Sequence, residues 1–204
     1  HPHWSPHTRW RAEADEAGHN VLAVQYTDAF LLTGGGQWAD YTFTAGVRQY
    51  FAFNINPSVN LGYRQDCLSG LAVRVRDVRS YYLYCLENLD GLVLYKVEDD
   101  NLTALAREWV TVDRTRYHLL RVTCRGDRLT CALDGRPMFQ VRDDSFAAGP
   151  CGLRTNSKAA FTGVRVTADA EAAAANQRRA AAHRAALAAA RAAHPQPVVE
   201  RQLP

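Results

Sequence analysis

The sequence lacks long apolar runs, metal-ligand spacings and a strong excess of either charge. No run of about 18 apolar residues occurs, so we expect no transmembrane helix. Cys124 and Cys131 have no flanking histidine at ligand distance, and the spacing of the five cysteines fits no zinc site. The net charge is +3, and five arginines against three acids from Ala168 onward leave +1 for the rest. A nearly neutral body argues against nucleic acid as the main partner.

What is present is a series of short β-rich runs, clearest at residues 117–141. Asp134-Gly135 lies between two apolar runs and predicts a two-residue hairpin turn, because both central residues of a type I′ turn need φ > 0. Arg125-Gly126-Asp127-Arg128 predicts the preceding turn. The stretch therefore predicts an antiparallel meander with strands at 117–124, 129–133 and 137–141.

The preceding residues follow the same pattern. Residues 40–53 predict a long strand in which Tyr41, Phe43, Ala45 and Val47 face the core, because they alternate with small or polar residues. Further runs predict strands at 9–14, 21–27, 30–33, 71–76, 81–87, 92–98 and 102–106. Many short strands with frequent turns indicate an all-β fold, an antiparallel β-sandwich (jelly roll).

Two stretches resemble a known superfamily. Residues 117–155, YHLLRVTCRGDRLTCALDGRPMFQVRDDSFAAGPCGLRT, are similar to the second half of a laminin G-like domain of the concanavalin A-like lectin/glucanase superfamily. The matching motifs are the strand at 117–122, the Leu-Asp-Gly turn at 133–135 and Gly-x-x-Gly-Leu at 149–153. Residues 70–106 are similar to the central strands, and the resemblance covers residues 20–167. It implies the sandwich fold, and its motifs are structural.

Sandwich glucanases of this superfamily carry clustered carboxylates on one strand, and this sequence has no such cluster. Glu87 stands alone, and Glu98-Asp99-Asp100 falls in a predicted turn. Glycoside hydrolysis needs two carboxylates about 5–9 Å apart. We therefore assign no catalytic residue and expect the chain itself to be non-catalytic.

The composition changes abruptly at Ala168, which gives three expected segments. Residues 1–167 form the sandwich, 168–194 an Ala-rich α-helix and 195–204 an extended tail. Thr167 is an acceptable N-cap, and Pro195 ends the helix because the residue before a proline avoids α space. The helix has almost no apolar stripe, which predicts a spacer, and packing on the sandwich or a partner is the alternative.

Aromatic and arginine side chains on consecutive strands are the candidate binding residues. Aromatic rings stack on the apolar faces of sugars, and guanidinium groups bind carboxylates or vicinal hydroxyls. A solvated face with cross-strand pairs is the structural alternative. The candidates are Arg74, Arg76, Tyr82, Tyr84 and Tyr95, with Trp38 and Trp109 beside loops.

Two covalent or ionic features stay open. Relatives of this superfamily bind structural calcium (Ca2+), often through an aspartate in the last strand, but that position lacks one here; Asp28 and Asp40 remain as oxygen donors. No other cofactor is expected. Cys124 and Cys131 lie on the two arms of one hairpin, one diagonal step apart, so ideal geometry disfavours a disulfide between them unless a bulge shifts the register.

These features predict a non-catalytic carbohydrate-binding or accessory module of a larger secreted polysaccharide-degrading protein. The expected partners are a polysaccharide or oligosaccharide and a further domain after residue 204, and neither nucleic acid nor membrane. Two alternatives stay open: a glycoside hydrolase or polysaccharide lyase whose site is assembled from separate strands, and a sandwich that mediates protein contacts.

Overall fold

A computed structural model describes residues 10–24, 29–50, 53–54, 65–88 and 90–193. These residues form strands β1 to β15 and one helix, α1. The strands are β1 Arg11–Ala14, β2 Asn20–Val24, β3 Ala29–Thr33, β4 Tyr41–Gln49, β5 Phe53–Asn54, β6 Gln65–Asp66, β7 Leu68–Asp77, β8 Ser80–Glu87, β9 Gly91–Glu98, β10 Asn101–Trp109, β11 His118–Arg125, β12 Arg128–Leu133, β13 Arg136–Arg142, β14 Cys151–Thr155 and β15 Ala159–Thr167, and the helix α1 is Ala170–Ala193.

Two antiparallel sheets pack face to face and confirm the predicted sandwich. The seven-stranded sheet has the order β1-β2-β15-β4-β11-β12-β13, and the six-stranded sheet has the order β10-β9-β8-β7-β14-β3. The strands β5 and β6 pair separately. The last two strands, β14 and β15, insert between earlier ones, one in each sheet, so long-range pairing joins β3 to β7 in one sheet and β2 to β4 in the other.

The core lies between the sheets and follows the predicted alternation. Tyr41, Phe43, Ala45 and Val47 are buried on β4. Each such side chain contributes roughly 1.5–3 kcal/mol of burial free energy when it is a large aliphatic or aromatic group. The strand ends at Gln49, short of the predicted Phe53, because its ladder partner β15 begins at Ala159, directly opposite Gln49.

The predicted meander is confirmed as β11, β12 and β13. Cys124 pairs with Leu129 as expected, and Cys131 pairs with Val122. Asp134 and Gly135 have φ values of 50° and 85°, as a type I′ turn requires. The β11–β12 register is regular, so the bulge that a Cys124–Cys131 disulfide needs is absent from this hairpin, and all five cysteines are free and buried.

The helix is docked at its start and projects at its end. Asp169 caps it in place of the predicted Thr167, because its Oδ1 accepts the Ala172 N–H at 2.8 Å. Asn176 is buried: its Oδ1 accepts the Ala39 N–H and its Nδ2 donates to the Asp40 carbonyl, each at 3.0 Å. Every helical residue after Ala180 is exposed. Within the described ranges, no helix has the length and apolar character needed to cross a membrane.

Candidate functional site

A polar and aromatic cluster lies on the outer face of the six-stranded sheet, at its β10 border. The register places Glu87 opposite Gly91 and Gly91 opposite Trp109, in one row across three strands. On the same face, Arg107 lies two residues before Trp109 on β10, opposite Val93, and Tyr95 lies two residues after Val93 on β9. We call Glu87, Tyr95, Arg107 and Trp109 the Glu87 cluster.

Glu87 is the centre of this cluster. Its side chain is only 7% exposed, and its two carboxylate oxygens accept hydrogen bonds from the Tyr95 hydroxyl and from Arg107 Nη1. Arg107 Nη2 also donates to the Tyr95 Oη at 2.8 Å. A buried carboxylate is tolerated only when its charge is paired and its oxygens are hydrogen-bonded. Each of these three groups therefore fixes the orientation of the other two.

Gly91 makes room for the buried carboxylate. A Cβ atom at this position would lie 2.8 Å from the Glu87 carbonyl oxygen and 2.9 Å from the Glu87 Cβ. Both distances are closer than real Cβ contacts permit, and backbone cannot move aside as a flexible side chain can. The absence of a side chain at Gly91 is thus a local requirement for Glu87 to lie flat on the sheet face.

The protonation states in the cluster follow from its geometry. Burial, and then the hydrogen bond to Glu87, raise the pKa of Tyr95 well above its ordinary value, so its hydroxyl is a donor at neutral pH. The hydrogen bond to Glu87 also raises the pKa of Arg107. The guanidinium is therefore permanently charged and is held against one carboxylate.

Trp109 gives the cluster an accessible surface. The residue is 68% exposed, and the Arg107 guanidinium carbon lies 5.7 Å from the centre of its ring. The Arg107 side chain is itself 33% exposed. An exposed indole beside a fixed guanidinium offers a stacking surface and charge-assisted hydrogen-bond donors at the same place.

A second cluster lies on the opposite side of the same sheet face. The rings of Phe30 and Tyr81 are 5.0 Å apart, and Arg154 Nε donates to the Tyr81 Oη at 3.2 Å. Between the two clusters the outer face is not accessible to solvent, since Leu83 and Val93 are buried. The accessible part of the Glu87 cluster is therefore its border at Arg107 and Trp109.

The structure corrects the expectation that Arg74 shares an exposed face with Arg76. Arg74 is fully buried. The ladder between β7 and β8 is irregular between Val73 and Asp77, and Arg74 has a left-handed φ of 49°. This irregularity breaks the alternation of side chains along β7, so that Arg74 points into the end of the sandwich. Arg76 stays exposed, with its guanidinium above the Phe146 ring.

Tyr82 and Tyr84 are also corrected, because both are fully buried between the sheets. The Tyr82 hydroxyl donates to the Asp143 carbonyl, and the Tyr84 ring packs edge-on against Phe139 at 6.0 Å. Their even positions on β8 point inward, so only the odd positions, which end at Glu87, reach the outer face.

Trp38 packs as a lid on the core. It is half-buried, and its ring centre lies 6.0 Å from that of Tyr41. A Cβ at Gly34 would lie 2.6 Å from the Trp38 ring, which explains a glycine there. A cleft of about 300 Å³ separates Trp38 from α1 at Ala173 and Ala180. Trp38 is thus remote from the Glu87 cluster, which includes only Tyr95 and Trp109 of the predicted site.

The calcium expectation gains no support from Asp40, and Asp28 lies outside the described residues. Asp40 Oδ1 accepts the Gly126 N–H at 2.9 Å and lies 3.7 Å from the Arg74 guanidinium, a cation that would repel Ca2+. Among the described residues, no group of three or more His, Cys, Asp or Glu side chains converges as metal ligands do.

Glu87 and Arg107 were absent from the predicted set. In the sequence, Glu87 is an isolated acid and Arg107 lies 20 positions later, past two turns. Only the β8-β9-β10 register brings them together. The available signal was the pair of turns at 88–91 and 99–100, which makes these three strands a meander and so places their ends side by side.

Comparison with known proteins identifies a fold and no family. No protein-family model matches the sequence, and no curated protein sequence matches it. The solved structure of carbohydrate binding module CBM66 from Bacillus subtilis superposes with a TM-score of 0.61 at 19% identity, over 78% of this chain and 92% of that chain.

Two further solved structures have the same fold. A galectin, LEC-6, from Caenorhabditis elegans has a TM-score of 0.52 at 7% identity and covers 72% of this chain and 96% of its own. The alginate lyase AlgAT5 of polysaccharide lyase family 7 has a TM-score of 0.54 at 10% identity and covers 80% and 84%. At these identities the likeness establishes an antiparallel β-sandwich of the jelly-roll kind and nothing finer.

Proposed function

We propose that the chain is a non-catalytic carbohydrate-binding module that holds a glycan at the β10 border of its six-stranded sheet. The observation that carries the proposal is the exposed Trp109 ring beside an Arg107 guanidinium that a buried Glu87 fixes in place. The fold, shared with a carbohydrate-binding module and a galectin, makes this ligand class a reasonable one.

The geometry supports binding through stacking and directed hydrogen bonds. The Trp109 ring stacks on the apolar face of a sugar ring, and Arg107 donates to its hydroxyls or carboxylate. Because Glu87 and Tyr95 already hold Arg107, little side-chain freedom is lost on binding. The site is an open border, so we expect a dissociation constant of roughly 10⁻³ to 10⁻⁵ M, about 4–7 kcal/mol.

The wider biological setting belongs to the same proposal. The module serves a larger secreted polysaccharide-degrading protein, and a further domain after residue 204 carries the chemistry. The narrower likeness to laminin G-like domains, which rests on the motifs in residues 117–155, also remains part of the proposal.

The test is a glycan array followed by calorimetric titration of the strongest ligand with four proteins. Trp109→Ala removes the stacking surface, and Arg107→Lys keeps the charge but loses the planar fork, so each should weaken binding by roughly tenfold or more. Leu102→Ala is the matched control, because Leu102 is 49% exposed on the same face of β10 at its other end.

Two outcomes would reject the proposal. Absence of binding to every neutral and acidic glycan on the array would exclude the binding function. Release of reducing or unsaturated ends from any polysaccharide by the isolated chain would make it a hydrolase or lyase. Equal loss of affinity in Leu102→Ala and Trp109→Ala would contradict the assigned site while leaving glycan binding in place.

A further inference from the structure

The outer face of the seven-stranded sheet carries a second polar surface, on the other side of the molecule. Arg121 on β11 and Arg165 on β15 both pair in register with Thr44 on β4, which lies between them. Adjacent strands are about 4.8 Å apart, so the two arginine Cα atoms are about 10 Å apart on one flat row. We call Arg121, Thr44 and Arg165 the arginine row.

The alternation of each strand directs these side chains outward. Leu120 and Val122, on either side of Arg121, are fully buried. Arg165 precedes Val166, which packs against the core, and the register irregularity between Thr162 and Arg165 sets this phase. Both arginines are exposed. The arginine row therefore presents two guanidinium groups to solvent from two rigid strands.

These two arginines differ from Arg125 and Arg142 on the same face because no described acidic group neutralises their charge. Arg125 pairs with Asp169 at 2.6 Å, and Arg142 pairs with Asp127 at 2.9 Å. Arg121 and Arg165 form no ion pair with any described residue. The two like charges lie on the strands that flank β4 and create a local positive potential. A bound anionic ligand would neutralise that potential.

A row of hydroxyl groups lies beside the arginine row. Thr123 pairs in register with Thr42 and Thr130, and Thr42 pairs with Thr167. The Thr42 and Thr123 hydroxyls are 3.0 Å apart and share one hydrogen bond. Each hydroxyl both donates and accepts, so this row can bind the hydroxyls of a ligand whose charges lie on the arginines.

We propose that the arginine row and its threonine neighbours bind an acidic polysaccharide, one that carries carboxylate or sulfate groups. The planar guanidinium fork matches both groups in a two-pronged contact. The chain body has a net charge of only +1, so the broad basic stripe of a nucleic-acid-binding protein is lacking, while hydroxyl-lined anion contacts fit a sugar polymer. The surface is separate from the Glu87 cluster and does not depend on that assignment.

The experiment measures fluorescence anisotropy of end-labelled polygalacturonate at low and at physiological salt. The wild-type chain should bind it, with affinity falling as salt rises because exposed charges are screened. The double variant Arg121→Gln/Arg165→Gln should bind roughly tenfold more weakly. Arg136→Gln is the matched control, since Arg136 is an exposed arginine on β13, away from the row, and should change affinity less than about twofold.

Three results with the wild-type chain and the double variant would overturn the inference. They are no binding of polygalacturonate at low salt, an unchanged affinity in the double variant, and equally tight binding of labelled single-stranded oligothymidylate, which would indicate general polyanion attraction. Trp109→Ala separates the two sites: it should lower the affinity for polygalacturonate less than the double variant does. A larger loss of that affinity in Trp109→Ala than in the double variant would assign the anion site to the Glu87 cluster and contradict the arginine row, whereas loss of neutral-glycan binding alone would bear only on the Glu87 cluster.

Discussion

Arg74 shows at the scale of one residue how a buried charge can hold a sandwich closed. Its guanidinium donates to the carbonyl oxygens of Ala39, Gly126 and Phe146, which come from three separate loops. Asp40 lies 3.7 Å away and supplies the countercharge. One side chain thus satisfies three carbonyl oxygens, two of which belong to the buried residues Ala39 and Phe146.

We predict that Arg74→Met destabilises the fold by at least about 3 kcal/mol, because methionine fills the space but leaves those acceptors unpaired. Urea unfolding followed by circular dichroism measures the free energy of unfolding. Arg76→Met is the matched control two residues away, where the side chain is about half exposed, and it should change stability by less than about 0.5 kcal/mol. Equal effects of the two substitutions would contradict the assigned role.

The contrast between these arginines also shows what the sequence could not reveal. A period of two correctly predicted the buried positions of β4, where the pairing with β11 is regular through Val47. It failed at Arg74, because a register irregularity inside β7 depends on the neighbouring strand and on the loops that Arg74 binds. Tyr95 and Trp109 were predicted as binding residues, but Glu87 and Arg107 join them only through the register.

At the scale of one element, the side chain of Asn176 links α1 to the sandwich through two hydrogen bonds. Asn176 donates to the Asp40 carbonyl and accepts the Ala39 N–H, directly beside the loop that Arg74 binds. The Ala-rich composition predicted the helix, with Ala170–Ala193 close to the expected 168–194. Its docking was weighed only as an alternative to a free spacer, because one asparagine among alanines produces no apolar stripe.

We predict that Asn176→Ala frees the first turns of α1 from the sandwich, with a stability loss of about 1–3 kcal/mol from the two unpaired backbone groups. Hydrogen–deuterium exchange should then speed up in residues 170–177 and at residues 39–40. Gln177→Ala, a neighbouring exposed position, is the control and should leave exchange unchanged. Unaltered protection in Asn176→Ala would show that other contacts hold the helix.

At the scale of the whole molecule, the sandwich is held together by packing between the two sheets and by strand pairing within each sheet. All five thiols are free and buried in the folded chain. Burial raises the pKa of Cys124 and of Cys151 to about 12, so the reactive thiolate is scarce at neutral pH.

We predict that none of the five thiols reacts promptly with an aromatic disulfide reagent at pH 8 in the native protein, and that all five react once guanidinium unfolds it. The absorbance of the released thiolate counts the reacted groups. Fewer than five reactive thiols after unfolding without a reductant would reveal a disulfide. Rapid reaction of the native chain would contradict the burial of these side chains.

If Trp109 and its fixed arginine form the glycan site, a bound glycan contacts one place on the whole surface. The most direct measurement follows the indole N–H signals in a two-dimensional nitrogen–proton NMR spectrum during titration with the strongest array ligand. The Trp109 signal should shift progressively with the ligand, while those of Trp10 and Trp38, which pack against the core, stay in place. A ligand-dependent shift of Trp10 or Trp38 with Trp109 unchanged would contradict the assignment.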